Sequence, residues 1–175
     1  MTDINSKLEQ VKSKESFLEK IIRYIPGYDG YVNRDNSREL DTLLRNTLAL
    51  NLDANKSKLK NAVSNLNSGG RLSEVGGLDK IDKKLENAIA KFKSAARGYS
   101  GAFDVVKIKE EKLNQLYSFD ANLLAEVNEI STGFSELETN SKSNADIKPA
   151  QDKLNTQLDN LIKKFDEREN LLRNL

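Results

Sequence analysis

The chain contains no cysteine, no histidine and no tryptophan, and only one methionine and two prolines in 175 residues. Without cysteine there is neither a disulfide nor a thiol nucleophile. Without histidine the commonest general base and transition-metal ligand are gone. The helical di-iron site, which needs Glu-x-x-His, cannot be built either. The glycine pairs at 69–70 and 76–77 are not followed by the Lys-Ser/Thr that a phosphate-cradling loop requires. A non-enzymatic protein is expected, with no cofactor, no metal and no small-molecule substrate. No apolar run approaches the roughly 20 residues of a membrane span, and the opening Met1-Thr2-Asp3-Ile4-Asn5 lacks the greasy core of a signal peptide. A charge of one sign is also lacking. Lys plus Arg number 28 against 27 Asp plus Glu, so the basic face that releases counterions from nucleic acid is not expected. Absence of these features points to a cytoplasmic protein.

What the chain does have is charge of both signs, 31% of its residues, laid beside thin apolar stripes. A first helix is expected from about Asp3 to Tyr24, with Ile4, Leu8, Val11, Leu18 and Ile22 in alternating steps of three and four. Pro26-Gly27 stops it. Asn33, Asp35 or Asn36 can cap a second helix that runs unbroken to about Asn67 on Leu40, Leu44, Leu48, Leu52, Leu59, Val63 and Leu66. Ser68 to Gly77, with a glycine pair near each end, reads as a loop. A third helix then spans about Leu78 to Val105, where Ala95, Gly98 and Ala102 form a small-residue side. The fourth, about Lys109 to Thr139, keeps strict coiled-coil spacing through Leu113, Leu116, Asp120, Leu123, Val127, Ile130, Phe134 and Leu137. Residues 139–148 read as a polar linker. Leu154, Leu158, Leu161, Phe165 and Leu172 carry a C-terminal helix over 149–175.

Single helices with such stripes are marginal in water and must pack. The expected fold is all-α: an elongated antiparallel bundle, or coiled coil, of four to five helices. Residues 1–138 form the bundle, and the last helix docks on it.

Three features stand out as candidate interaction or register-setting residues. Gly27-Tyr28-Asp29-Gly30-Tyr31 and Gly98-Tyr99-Ser100-Gly101-Ala102-Phe103 share Gly-Tyr-x-Gly followed by an aromatic; such corners either offer a binding surface or seal a bundle end. Tyr117 continues the aromatic theme. Asp120 occupies a seam position that calls for an apolar side chain, and a buried carboxylate must be paired. Arg97, Arg45 and Arg23 are its candidate partners, with the Tyr28 or Tyr99 hydroxyl as neutral alternatives. The structural role expected for Asp120 is an ion pair that fixes helix register.

At these motifs the chain resembles a helical family of bacteria and archaea without an assigned activity. The shared stretches are Ile25-Pro26-Gly27-Tyr28-Asp29-Gly30-Tyr31, the arginines Arg34, Arg38 and Arg45, Gly98 to Asp104, and Glu110 to Asp120 with its Leu-Tyr-x-Phe-Asp ending. Ala102 departs from the family pattern, which has Phe there. The resemblance covers roughly Phe17 to Leu137 and implies a loose link to membrane-stress neighbourhoods of the phage-shock type.

Two functions are therefore weighed. The first is a scaffold or adaptor acting through helix-to-helix contact with a protein partner or with itself. The second is a peripheral module at the inner face of the membrane, in which Lys12, Lys14, Lys20 and Arg23 flank the stripe of the first helix.

Overall fold

Apolar residues recurring every three or four positions bury one side of a helix and no more, so each helix here needs neighbours on that side. The computed structural model describes residues 17–28, 30, 34–94 and 110–174. Helical residues 17–24 form α1. They are followed by α2 (Arg34–Asp53), α3 (Asn55–Ser68), α4 (Leu72–Ser94), α5 (Glu110–Lys142) and α6 (Lys148–Arg173). The structure is an all-α helical bundle, and no strand occurs among the described residues. Residues 1–16, Tyr31 and the segment 95–109 lie outside the described residues, as do Arg97, Tyr99, Phe103 and the small-residue side of Ala95, Gly98 and Ala102.

The helices occupy the corners of a square. The continuous pair α2/α3 packs against α4 and α5, and α6 packs against α4 and α5 in turn. Contacts across the faces give the directions. Asn55, Asn61 and Asn65 of α3 meet Ser131, Glu138 and Ser141 of α5, so these two helices run parallel. Lys84 and Lys91 of α4 meet Asp159 and Asp166 of α6, so these also run parallel. Lys153 and Lys164 of α6 reach Glu136 and Glu126 of α5, which makes that pair antiparallel. The fold is thus two helical hairpins stacked side by side, each element of the first lying beside its counterpart in the second.

The core follows the stripes. Leu44, Leu48 and Leu52 of α2, Ile81, Leu85 and Phe92 of α4, Leu123, Val127, Ile130 and Phe134 of α5, and Leu154, Leu158, Leu161 and Phe165 of α6 are all buried. The Phe92 and Phe165 rings meet edge to face, with centroids 4.5 Å apart. α1 adds Ile21 and Ile25 to this core.

Both hairpins turn by the same local device. Gly70 (φ 73°) ends α3 while Arg71 N–H donates to the Leu66 carbonyl. Asn144 (φ 57°) ends α5 while Ala145 N–H donates to the Asn140 carbonyl. Each is a Schellman closure, with a left-handed residue just past the helix end. The two turns touch, because Arg71 Nη2 donates to the Ala145 carbonyl at 2.9 Å. The Glu74 carboxylate accepts from Arg71, and that hydrogen bond, aided by the guanidinium charge, holds its carboxyl below the usual range.

Three boundaries differ from the sequence-based expectation. The second helix is interrupted at Ala54, where the buried Asn55 amide donates both to the Asn51 carbonyl and to Ser131 Oγ. A side chain inserted into the i→i−4 ladder breaks helix regularity there. The loop expected over 68–77 contracts to 69–71, because Gly76 and Gly77 are helical. Gly77 is a place of close approach rather than a breaker: a Cβ there would sit 2.9 Å from Nε2 of Gln151 in α6, which donates to the Glu74 carbonyl. The polar linker shrinks to 143–147, since α5 continues through Lys142 and buries Ser141 against Asn65. Asp146, one residue before the N-cap Ile147, accepts the Lys148 N–H at the start of α6.

Gly133 lets α6 approach α5 in the same way, with Leu154 Cδ2 2.9 Å from the place of a Cβ. Gly133→Val is expected to lower stability by about 1–3 kcal/mol through overpacking. Gly76 has open space around it, so Gly76→Ala should raise stability by about 0.5–1 kcal/mol through helix propensity. Urea denaturation of the two variants beside the parent measures both signs.

Candidate functional site

At the end of the bundle opposite the two Schellman turns, the apolar layers give way to a layer of charge. Asp120 falls on the α5 seam between Leu116 and Leu123. Arg168 falls on the α6 seam between Phe165 and Leu172. Asp41 and Arg45 lie one turn apart on the buried side of α2. All four are sealed: Asp120 and Arg168 are 0% exposed, Asp41 1% and Arg45 3%. Such burial is tolerable only with partners in place, because each stripped charge costs several kcal/mol.

The partners form one continuous chain. Tyr28 Oη donates to Asp120 Oδ2 at 3.2 Å. Arg168 Nε donates to Asp120 Oδ1 at 2.5 Å. Arg168 Nη1 lies 2.7 Å from Asp41 Oδ1; its N–H is not aimed at that oxygen, so this link acts through charge and not as an aligned hydrogen bond. Arg45 Nε donates to Asp41 Oδ2 at 2.8 Å, and Arg45 Nη1 donates to the Phe92 carbonyl of α4 at 3.3 Å. Two carboxylates and two guanidiniums cancel, so the layer carries no net charge. It joins the turn after α1 to α5, α6, α2 and α4.

The turn that delivers Tyr28 is built by its glycines. Tyr28 N–H donates to the Ile25 carbonyl, and Gly27 and Gly30 take φ of 87° and 91°, a region that side chains resist. Gly30 is needed twice over. A Cβ there would stand 2.8 Å from the Tyr117 hydroxyl, and Tyr117 is itself buried on α5. The Pro-Gly-Tyr corner therefore seals the bundle, with both tyrosines pointing inward.

Of the candidate residues read from sequence, the structure brings Tyr28, Arg45, Tyr117 and Asp120 to this end of the bundle. Tyr31, Arg97, Tyr99 and Phe103 are outside the described residues. Arg45 does not pair with Asp120 directly; it reaches it through Asp41 and Arg168. Arg23 is exposed on α1 and takes no part. The residue that meets Asp120, Arg168, was passed over, although the spacing from Phe165 to Leu172 steps straight onto it. Seam arithmetic carried through a charged position would have found it, since two opposite charges on facing seams satisfy each other.

A second, shallower feature lies at the helix break. Tyr24, Asn51, Asn55, Lys58, Asn128 and Ser131 line a polar groove of about 250 Å³. Lys58 Nζ donates to the Ser131 carbonyl, and Asn55 is spent on Asn51 and Ser131. Lys58, Asn55 and Ser131 thus spend their polar groups in joining α3 to α5.

Arg168→Met should take the guanidinium from Asp120 while Asp41 stays paired with Arg45, and cost about 3–5 kcal/mol. Double-mutant cycles of Asp120→Asn with Arg168→Gln, Arg45→Gln and Arg23→Gln, followed by denaturant titration, are expected to show coupling that is largest for Arg168, smaller for Arg45 and absent for Arg23. Gly30→Ala should cost about 1–3 kcal/mol in backbone strain and crowding; adding Tyr117→Phe removes the hydroxyl and recovers part of that loss, as the same titrations will read. Comparisons of this chain with protein-family models, curated proteins and solved structures give no match.

Proposed function

We propose that this protein is a non-enzymatic helical scaffold or adaptor that works through protein contacts on its outer faces. The observation that carries the reading is the sealing of its charged interior. Asp41, Arg45, Asp120 and Arg168 are the side chains best suited to chemistry, and each is buried and engaged with another or with Tyr28. None of the four lines the grooves seen among the described residues. They serve rigidity, and a rigid rod is useful for what it displays.

What it displays is a charge-laced surface interrupted by a few outward apolar side chains. Leu43 and Leu50 project from α2 and Leu72 from the start of α4, with Leu50 65% and Leu72 67% exposed. Exposed leucines set among charges suit a protein partner better than a lipid surface. The peripheral-membrane alternative draws less support. Ile21 and Ile25 are buried in the bundle, which leaves Ile22, 45% exposed, and Tyr24 as the outward apolar side chains of this segment, a small surface for lipid. Among the described residues no helix is long and apolar enough to cross a membrane.

Photo-crosslinking tests the reading directly. The full chain carrying benzoyl-phenylalanine at Leu50 or at Leu72 is expected to give discrete protein adducts when irradiated in cells. Adducts to lipid alone, or no adduct from either position, would overturn it.

A further inference from the structure

Ala121 and Ala125, one turn apart on α5, are too small to fill the valley that α1 makes with that helix. A groove of about 290 Å³ remains there, with Phe17 and Tyr24 of α1 among its lining. Lys20 and Arg23 also line it, and no carboxylate does. Neither cation has an ion-pair partner among the described residues. The Lys20 ammonium stands 5.6 Å from the centroid of the Phe17 ring, a cation–π contact that holds its charge at the groove. Glu126, the residue after Ala125, is engaged by Lys164 of α6 and does not neutralise the pair. We propose that the α1–α5 groove docks an acidic amphipathic helix of a partner protein, which seats a large apolar side chain against Ala121 and Ala125 and its carboxylates on Lys20 and Arg23. This rests on the scaffold reading and names the chemistry of the partner.

Charge selects the sign of the occupant. Two cations beside an apolar floor, with no acid of their own, complement a surface that joins carboxylates to apolar side chains. Lys20 and Arg23 are three residues apart and so neighbours on the helix surface, a spacing that acids three or four apart on a second helix can match. Tyr24, 38% exposed, adds a hydroxyl that can donate to the same carboxylates. Shape selects a helix. A valley between two helices takes a ridge of side chains at i, i+3 and i+4, whereas a bilayer presents a broad surface that cannot enter it. The groove is small, so binding through it is weak and falls as salt rises.

Fluorescence anisotropy of a labelled helical peptide, with leucine and glutamate at three-four spacing, titrated with the full chain tests this. A second peptide carries lysine in place of every glutamate. The acidic peptide should bind about tenfold or more tighter than the basic one and weaken as salt rises. Lys20→Glu with Arg23→Glu should weaken it by about tenfold or more. Ala125→Phe, which fills the floor without changing charge, should do the same. Lys80→Glu with Lys83→Glu, exposed on α4, should change it by no more than about twofold. Helix content and the urea midpoint should match the parent in every variant. An acidic peptide that binds no tighter than the basic one would overturn the proposal. Binding indifferent to Ala125→Phe, or as sensitive to the α4 reversals as to those on α1, would overturn the assignment to this groove. Phosphatidylglycerol vesicles captured through Lys20 and Arg23 by a chain that ignores the peptide would make the occupant a lipid and overturn it too. Protein crosslinks from Leu50 or Leu72 would leave the scaffold reading standing in each of these cases.

Discussion

The interior of this bundle closes only if the charge of Asp120 is met by that of Arg168. Among the described residues, the rest of the core is mostly leucine, isoleucine, valine, alanine and phenylalanine, which pack with many partners and tolerate sliding by a turn. An aspartate on one seam and an arginine on the facing seam do not. Slip α6 by one turn against α5, and Arg168 leaves an oxygen 2.5 Å away for an apolar wall. The same displacement takes Arg168 from Asp41, which then keeps Arg45 of its own helix. Apolar burial supplies the drive to associate, and the charged layer selects one register from several that would bury similar area.

That selection matters in a fold built from two similar hairpins. α3 beside α5 and α4 beside α6 are parallel pairs, and their cross-links keep a nearly constant sequence separation: Asn55 with Ser131, Asn65 with Ser141, Lys84 with Asp159, Lys91 with Asp166. Most of these links are polar and partly exposed, and exposed pairs contribute little each. Their value is geometric. At one end the Arg71 bond to the Ala145 carbonyl ties the two turns together; at the other the buried chain from Tyr28 to Phe92 joins both hairpins. The Gly77 and Gly133 contacts, where α6 comes close to α4 and α5, bring the helices near enough for these ties to form.

Much of the fold was legible in the sequence because it rests on one signal, the three-four spacing of apolar residues. Leu116, Leu123, Val127, Ile130, Phe134 and Leu137 were placed on one seam by counting, and all are buried. Asp120 was legible as an anomaly in that count. Its partner was not, because Arg168 stands at a charged step between Phe165 and Leu172, and sequence distance does not set it apart from Arg97, Arg45 or Arg23. Burial matches residues across space, and Asp120 and Arg168 are 48 positions apart. Glycine misled in the other direction. The 76–77 pair reads as a breaker when the helix is considered alone, and Gly77 becomes an asset only once Gln151 of α6 lies against it, while Gly76 stands in open space. The interruption at Ala54 escaped notice for a similar reason, since Asn55 breaks the ladder with Ser131 as its second acceptor.

The charged layer also has a bearing on the order in which the chain assembles. Asp41 and Arg45 are a turn apart and can meet as soon as α2 forms, but their guanidinium-to-carboxylate link to α6 spans most of the sequence. Until the last helix arrives, Asp120 sits on a greasy stripe beside the Tyr28 hydroxyl but without the guanidinium of Arg168. Partly assembled forms are therefore penalised at the place where the finished form is satisfied, and the penalty lifts at a single event, the docking of α6. A rod that could otherwise zip up helix by helix is made to fold as one cooperative unit.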